Sequence, residues 1–123
     1  MQSSYLSKPS QLTTDDKYNN LLQWLHTNTT NTSINNIEFR NHDNEYRAIH
    51  TSTTIPANSN ILSIPFSHII TFQLAQESTL GQAIKQSNIK ITNSHTWIAC
   101  YLLQEMNNIN SHWYHYIHIL PKT

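Results

Sequence analysis

Ile37-Glu-Phe-Arg-Asn-His-Asp-Asn-Glu-Tyr-Arg-Ala-Ile-His50 is the stretch on which the fold turns. Ile37 and Phe39 alternate with Glu38 and Arg40, the period-2 pattern of a half-buried strand. Residues 41–44 are rich in Asn and Asp and form a turn, after which residues 46–50 pair back as the second arm of a hairpin. Upstream, Tyr18, Leu21, Leu22 and Leu25 recur at i, i+3, i+4 and i+7, one apolar face of a helix over residues 14–26. Thr13-Thr-Asp-Asp16 supplies side-chain oxygens for its free N–H donors. Residues 27–36 are a polar loop, and residues 1–12 a flexible N-terminus.

Downstream of the hairpin, residues 56–60 form a turn. Ile61-Leu-Ser-Ile64 is expected as a third strand ended by Pro65, with residues 68–72 as a short extension. The pattern then becomes helical. Leu80, Ala83 and Ile84 share a face with Gly81 between them, and Ile89-Lys-Ile91 is a brief extended piece. Residues 95–106 form the strongest helix, capped by Asn93 or Ser94. Ile98, Tyr101, Leu102 and Met106 make one face, and Ala99, Cys100 and Leu103 widen it, so most sides of this helix are expected to be buried. Ser111 caps a final short helix carrying Trp113, Tyr116, Ile117 and Leu120, which Pro121 stops. A helix, antiparallel strands, then helices is an α+β order.

Composition bounds the function. The 123 residues hold seven Lys plus Arg and seven Asp plus Glu. This balance excludes a general electrostatic binder of nucleic acid or membrane surface. Charged residues are 11% and apolar ones 37%, against about 25% and about 45–50% in ordinary domains, so the core is modest. There is one Gly and no Val, while Asn, Ser and Thr fill polar positions, a bias expected of A/T-rich coding sequence. A single cysteine excludes an internal disulfide framework. No apolar run approaches the about 18 residues that span a bilayer. The N-terminus lacks the apolar core of a secretory signal, so cytoplasm or nucleus is expected.

Chemistry-bearing motifs are sparse. One glycine rules out the usual glycine-rich phosphate loops. Asp15, Asp16, Asp43, Glu38, Glu45, Glu77 and Glu105 show no pairing suited to acid–base work, and most read as solvated surface charges. His112-x-x-His115-x-x-His118 places imidazoles on one helix face, but no carboxylate lies within the run. Trp113, Tyr114 and Tyr116 interleave as on a packed helix, so no metal site is assigned. Cys100, mid-helix among apolar residues, reads as an inert buried thiol.

Several segments together resemble one family. Glu45-Tyr-Arg-Ala-Ile-His-Thr-Ser-Thr-Thr-Ile-Pro-Ala-Asn-Ser-Asn-Ile-Leu-Ser-Ile-Pro65 is similar to the opening of a SET domain, written G-x-G-hydrophobic, a polar stretch, I-P-x-G-E and a strand ending in I-P. Leu21 to Leu25, with Trp24, resembles the family's N-terminal "hydrophobic-x-W" helix. Ser78-Thr-Leu-Gly-Gln-Ala-Ile84 resembles the S-x-L-G that opens a helical insertion. Trp97 to Glu105, with Ser111-His-Trp-Tyr-His-Tyr-Ile-His-Ile-Leu-Pro121, resembles "LLxE…S-x-W-x-x-Y-hydrophobic-x-x-LP". The order spans residues 18–121 and is closest to the branch typified by the Rubisco large-subunit lysine methyltransferase.

The resemblance implies part of an S-adenosylmethionine-dependent protein lysine or histidine N-methyltransferase, with a protein substrate and no nucleic-acid or membrane partner. It implies the N-terminal part of a SET domain over residues 13–123: helix and strands to about 72, and a helical insertion from about 73. The family's G-x-G turn, whose glycines let backbone approach the cofactor, falls on Glu45, Tyr46, Arg47 and Ala48, with Tyr46 and Ala48 in the glycine positions. The family's Asn-His motif and active-site Tyr lie downstream of L-P, so no catalytic residue is assigned and the chain alone is expected to be inactive. The alternative is a non-enzymatic interaction module derived from a SET domain, presenting Trp97, Tyr101 and residues 113–116 to a partner.

Overall fold

The computed structural model describes residues 14–27, 34, 36–42 and 46–121. The expected flexible N-terminus, most of the polar loop and Glu45 lie outside the described residues. The chain divides into two compact units, residues 1–67 and 68–123.

In the first unit, helix α1 (Thr14–His26) runs over the expected span, with Asp15 and Asp16 at its electropositive start and His26 in its last turn. Strands β1 (Ile37–His42) and β2 (Tyr46–Thr51) pair antiparallel. Phe39 faces Ile49, Arg40 faces Ala48 and His42 faces Tyr46. One further bond, from Ser52 N–H to the Asn36 carbonyl at 2.9 Å, continues the ladder. The alternation of side chains gives the hairpin two faces. Phe39 and Asn41 meet α1: the Tyr18 ring stacks on Phe39 at 4.7 Å, and its hydroxyl donates to Asn41 Oδ1 at 3.3 Å. Among the described residues, Tyr18, Leu21 and Ile34 are the buried apolar residues of this unit.

The third strand did not form. Ile61 and Leu62 are more than half exposed, and only Ser63 makes an isolated β-bridge. An apolar run adopts strand structure only where a neighbour supplies a continuous ladder, and here the pairing stops at the single bridge of Ser63. The expected extension over residues 68–72 did not form either: residues 66–68 make a single 3-10 turn (Phe66–His68), and a helix begins at Phe72.

The second unit is helical: α2 (Phe72–Glu77), α3 (Thr79–Gln86), α4 (Ser94–Met106) and α5 (Tyr114–Ile117). Ile89 to Ile91 is irregular. Ser78 serves two helices at once. Its N–H closes α2 on the Leu74 carbonyl. Its hydroxyl donates to the Ala75 carbonyl at 2.7 Å and accepts from Gly81 N–H at 3.0 Å, capping α3. The Leu80 N–H, another donor of that first turn, is taken by Gln104 Oε1 of α4 at 3.0 Å. Ser78→Ala is therefore expected to cost about 1–2 kcal/mol of stability, read as a lower urea midpoint by circular dichroism. Ser78→Asp restores the acceptor for Gly81 N–H but not the donor to the Ala75 carbonyl, so it should recover only part of the loss; an unchanged midpoint for the alanine variant would show that the hydroxyl's two bonds add no stability.

The core of this unit is a stripe. Asn93 caps α4 through His95 N–H at 2.8 Å, as expected. Trp97, Tyr101 and Glu105 then recur at i, i+4 and i+8 and are buried together with Ala75, Trp113 and Ile117. The expectation that α4 is buried on most sides is corrected: Leu103 and Met106 are more than half exposed. The five-residue drift from Trp97 to Leu102 carries Ile98 and Leu102 onto the flank, and Met106 past it.

Candidate functional site

The cofactor residues expected from the resemblance lie on β2. Tyr46 and Ala48 alternate onto the hairpin face opposite α1, with Arg47 on the α1-facing side. Their face is shared with Glu38, Arg40, His42 and His50. The Arg40 guanidinium holds the Glu38 carboxylate, its Nε donating at 2.6 Å. The Tyr46 ring stacks on His42 at 4.4 Å with 18° between planes. His42 Nε2 and His50 Nε2 meet at 3.0 Å. Glu45, the remaining member of the expected set, is outside the described residues.

A pair of glycines would leave bare backbone on this face, open to close approach. Here Tyr46 and Ala48 contribute side chains, and aromatic rings occupy the same face. The residues present do not fit a cofactor held by bare backbone at this turn.

A buried polar cluster in the second unit was missed by sequence reasoning. Glu105, read as a solvated charge, is buried on the α4 stripe. Ser111 Oγ donates to Glu105 Oε2 and accepts from Trp113 N–H at 3.1 Å. Gln104 Nε2 donates to Glu105 Oε1 at 3.2 Å. The Trp113 indole N–H donates to the Tyr101 hydroxyl at 2.8 Å. A buried carboxylate persists when its lone pairs are satisfied this way. Burial pushes the Tyr101 hydroxyl above its ordinary pKa; the Trp113 hydrogen bond opposes this and the Glu105 charge adds to it. The signal in the sequence was the i, i+8 relation of Glu105 to Trp97. Its partner Ser111 sits beyond a loop, where spacing carries no information.

Beside this cluster, Ile69, Ile70, Ile98, Leu102, Trp113 and Tyr116 line an apolar groove of about 310 Å³. His68 and His112 meet edge to face at 5.2 Å. The three histidines of the 112–118 run are dispersed among aromatic partners: His112 against Trp113, His115 against Tyr114, His118 stacked on Tyr114 at 4.0 Å. Burial, then the neighbouring His118, push the His115 pKa below its ordinary value. Among the described residues no group of three or more His, Cys, Asp or Glu side chains is placed to hold a metal, and no helix is long and apolar enough to cross a membrane. Cys100 is partly exposed rather than buried. Trp97, Tyr101 and Trp113, the partner-facing aromatics of the alternative reading, are instead in the core.

No protein-family profile matches the chain. Its similarity is to protein N-methyltransferases. The chain is 30% identical over 107 residues to the actin-histidine N-methyltransferase of Gallus gallus. It is 29% identical over the same length to those of Papio anubis and Dasypus novemcinctus. Each alignment takes in 87% of this chain and 18% of the relative, so the chain spans about a fifth of the length of the curated relatives it matches.

Proposed function

We propose that this chain is a portion of a SET-type, S-adenosylmethionine-dependent protein N-methyltransferase, contributing the N-terminal helix, the first hairpin and the start of a helical insertion. The observation that carries this reading is the similarity to histidine N-methyltransferases along 87% of the chain. The α+β order and the S-x-L-G and S-x-W-x-x-Y segments, each with a physical role in the fold, support it. The substrate is a protein, with Lys or His as the acceptor class, and the hairpin contributes less to cofactor binding than a glycine-lined turn would.

A chimera tests this. The matched segment replaces its counterpart in the Gallus gallus relative, and S-adenosylmethionine affinity and methyl transfer are measured. The chimera is expected to fold and to bind the cofactor more weakly than the parent. Tyr46→Gly with Ala48→Gly is expected to recover tenfold or more in Kd, about 1.4 kcal/mol. A folded chimera that neither binds the cofactor nor responds to the restored glycines overturns the proposal.

A further inference from the structure

The hairpin face also carries a pair of histidines. His42 stands opposite Tyr46, and His50 stands opposite Glu38. Between them the register places the Arg40–Ala48 pair. The two imidazoles reach toward each other along this face, and their Nε2 atoms meet at 3.0 Å, with ring centroids 5.1 Å apart. Ala48 has only a methyl group, so a larger side chain at that position would stand in the way. Tyr46 backs the His42 ring from the other side at 4.4 Å. Both rings are half-buried, held on a paired register yet open to solvent.

Two imidazole nitrogens each bound at about 2.0–2.1 Å to one metal stand roughly 2.9–3.4 Å apart for bond angles of roughly 90–109°. The 3.0 Å separation of His42 and His50 falls in that span. We propose that His42 and His50 form a two-imidazole site for a divalent transition metal of the nickel, copper or zinc class, with water in the remaining positions. Imidazole nitrogen suits these metals and discriminates against magnesium and calcium, which take oxygen ligands. The short Nε2–Nε2 contact of the metal-free pair is a hydrogen bond whose donor depends on the tautomer; for both Nε2 atoms to ligate a metal, each ring carries its proton on Nδ1 instead. The Glu38 carboxylate, register partner of His50, is held by Arg40 and is left out of the ligand set.

The test is calorimetric titration of the full chain, stripped of metal, with nickel chloride and separately with zinc chloride at pH 7.5. One saturable site with Kd of tens of micromolar or tighter is expected, weakened at least tenfold by His42→Gln or by His50→Gln. His112→Gln with His115→Gln should leave it unchanged. Circular dichroism confirms that each variant folds, and 15N imidazole shifts should move at His42 and His50 on nickel or zinc addition. Absence of saturable binding overturns the proposal. So does binding that survives both hairpin substitutions, or that is lost only with the 112–115 pair. Methyl transfer plays no part in these readouts, so the result stands apart from the chimera experiment.

Discussion

Trp113→Ala is expected to destabilise the second unit by about 3–5 kcal/mol. Trp113 is 4% exposed and joins the three features that organise the unit. Its backbone N–H is held by Ser111, which in turn holds Glu105; its indole N–H is held by Tyr101; and its ring forms one wall of the apolar groove. Truncation removes a large apolar surface and leaves the Tyr101 hydroxyl without that donor. Trp113→Phe weights the two effects differently, because it keeps a packed aromatic ring but loses the N–H together with part of the indole. Its loss should be smaller than that of alanine, about 1–3 kcal/mol. The hydrogen bond from Trp113 favours the ionised phenol, so removing it should push the Tyr101 pKa further up, with burial and the Glu105 charge unopposed. Urea midpoints measure the first effect and 13C chemical shifts of the tyrosine ring carbons the second. A Tyr101 titration unmoved or moved downward by Trp113→Phe would show that the bond has no such role.

The elements legible in the sequence are those whose burial is periodic. Tyr18, Leu21 and Leu25 define α1 because one face of that helix meets the hairpin, and Phe39 marks the face of β1 that receives it. Residues 94–106 announce a helix by length and by the Asn93 cap. Ile61-Leu-Ser-Ile64 misled because a strand needs a continuous partner as well as apolar residues; only Ser63 makes a bridge, and Ile61 and Leu62 are open. Helix α2 was invisible because its six residues make fewer than two turns, too short for a period to show. The site residues divide the same way. Tyr46 and Ala48 share a face, as alternation requires, but the rings of His42 and His50 that meet on it are eight residues apart across a turn. The Glu105–Ser111 contact likewise depends on how a loop returns, which no local rule encodes.

Gly81→Ala is expected to destabilise, although the same change inside an ordinary helix gains about 1 kcal/mol. A methyl group built at Gly81 falls 2.2 Å from the Ala75 carbonyl oxygen and within 2.7 Å of the carbonyl of Gln76. These are backbone atoms at the end of α2, fixed by the bonds that Ser78 makes to both helices, so the neighbour cannot swing aside. Relief requires α2 and α3 to separate, at a cost of about 1–3 kcal/mol or more, enough to reverse the propensity gain. Lys85→Ala, exposed on the same helix, should change stability by less than about 0.5 kcal/mol. A Gly81→Ala midpoint in urea equal to or above that of the parent would show that the junction yields. The chain's scarcity of glycine sharpens the point. Where the backbone turns left-handed, at Asn58 and Asn88, asparagine stands in place of glycine, since its short polar side chain tolerates that conformation. Gly81 has no such dihedral demand; what it requires is the absence of a Cβ, and no other residue supplies that. Asparagine meets a conformational need at residues 58 and 88, but it could not meet the need for space at residue 81.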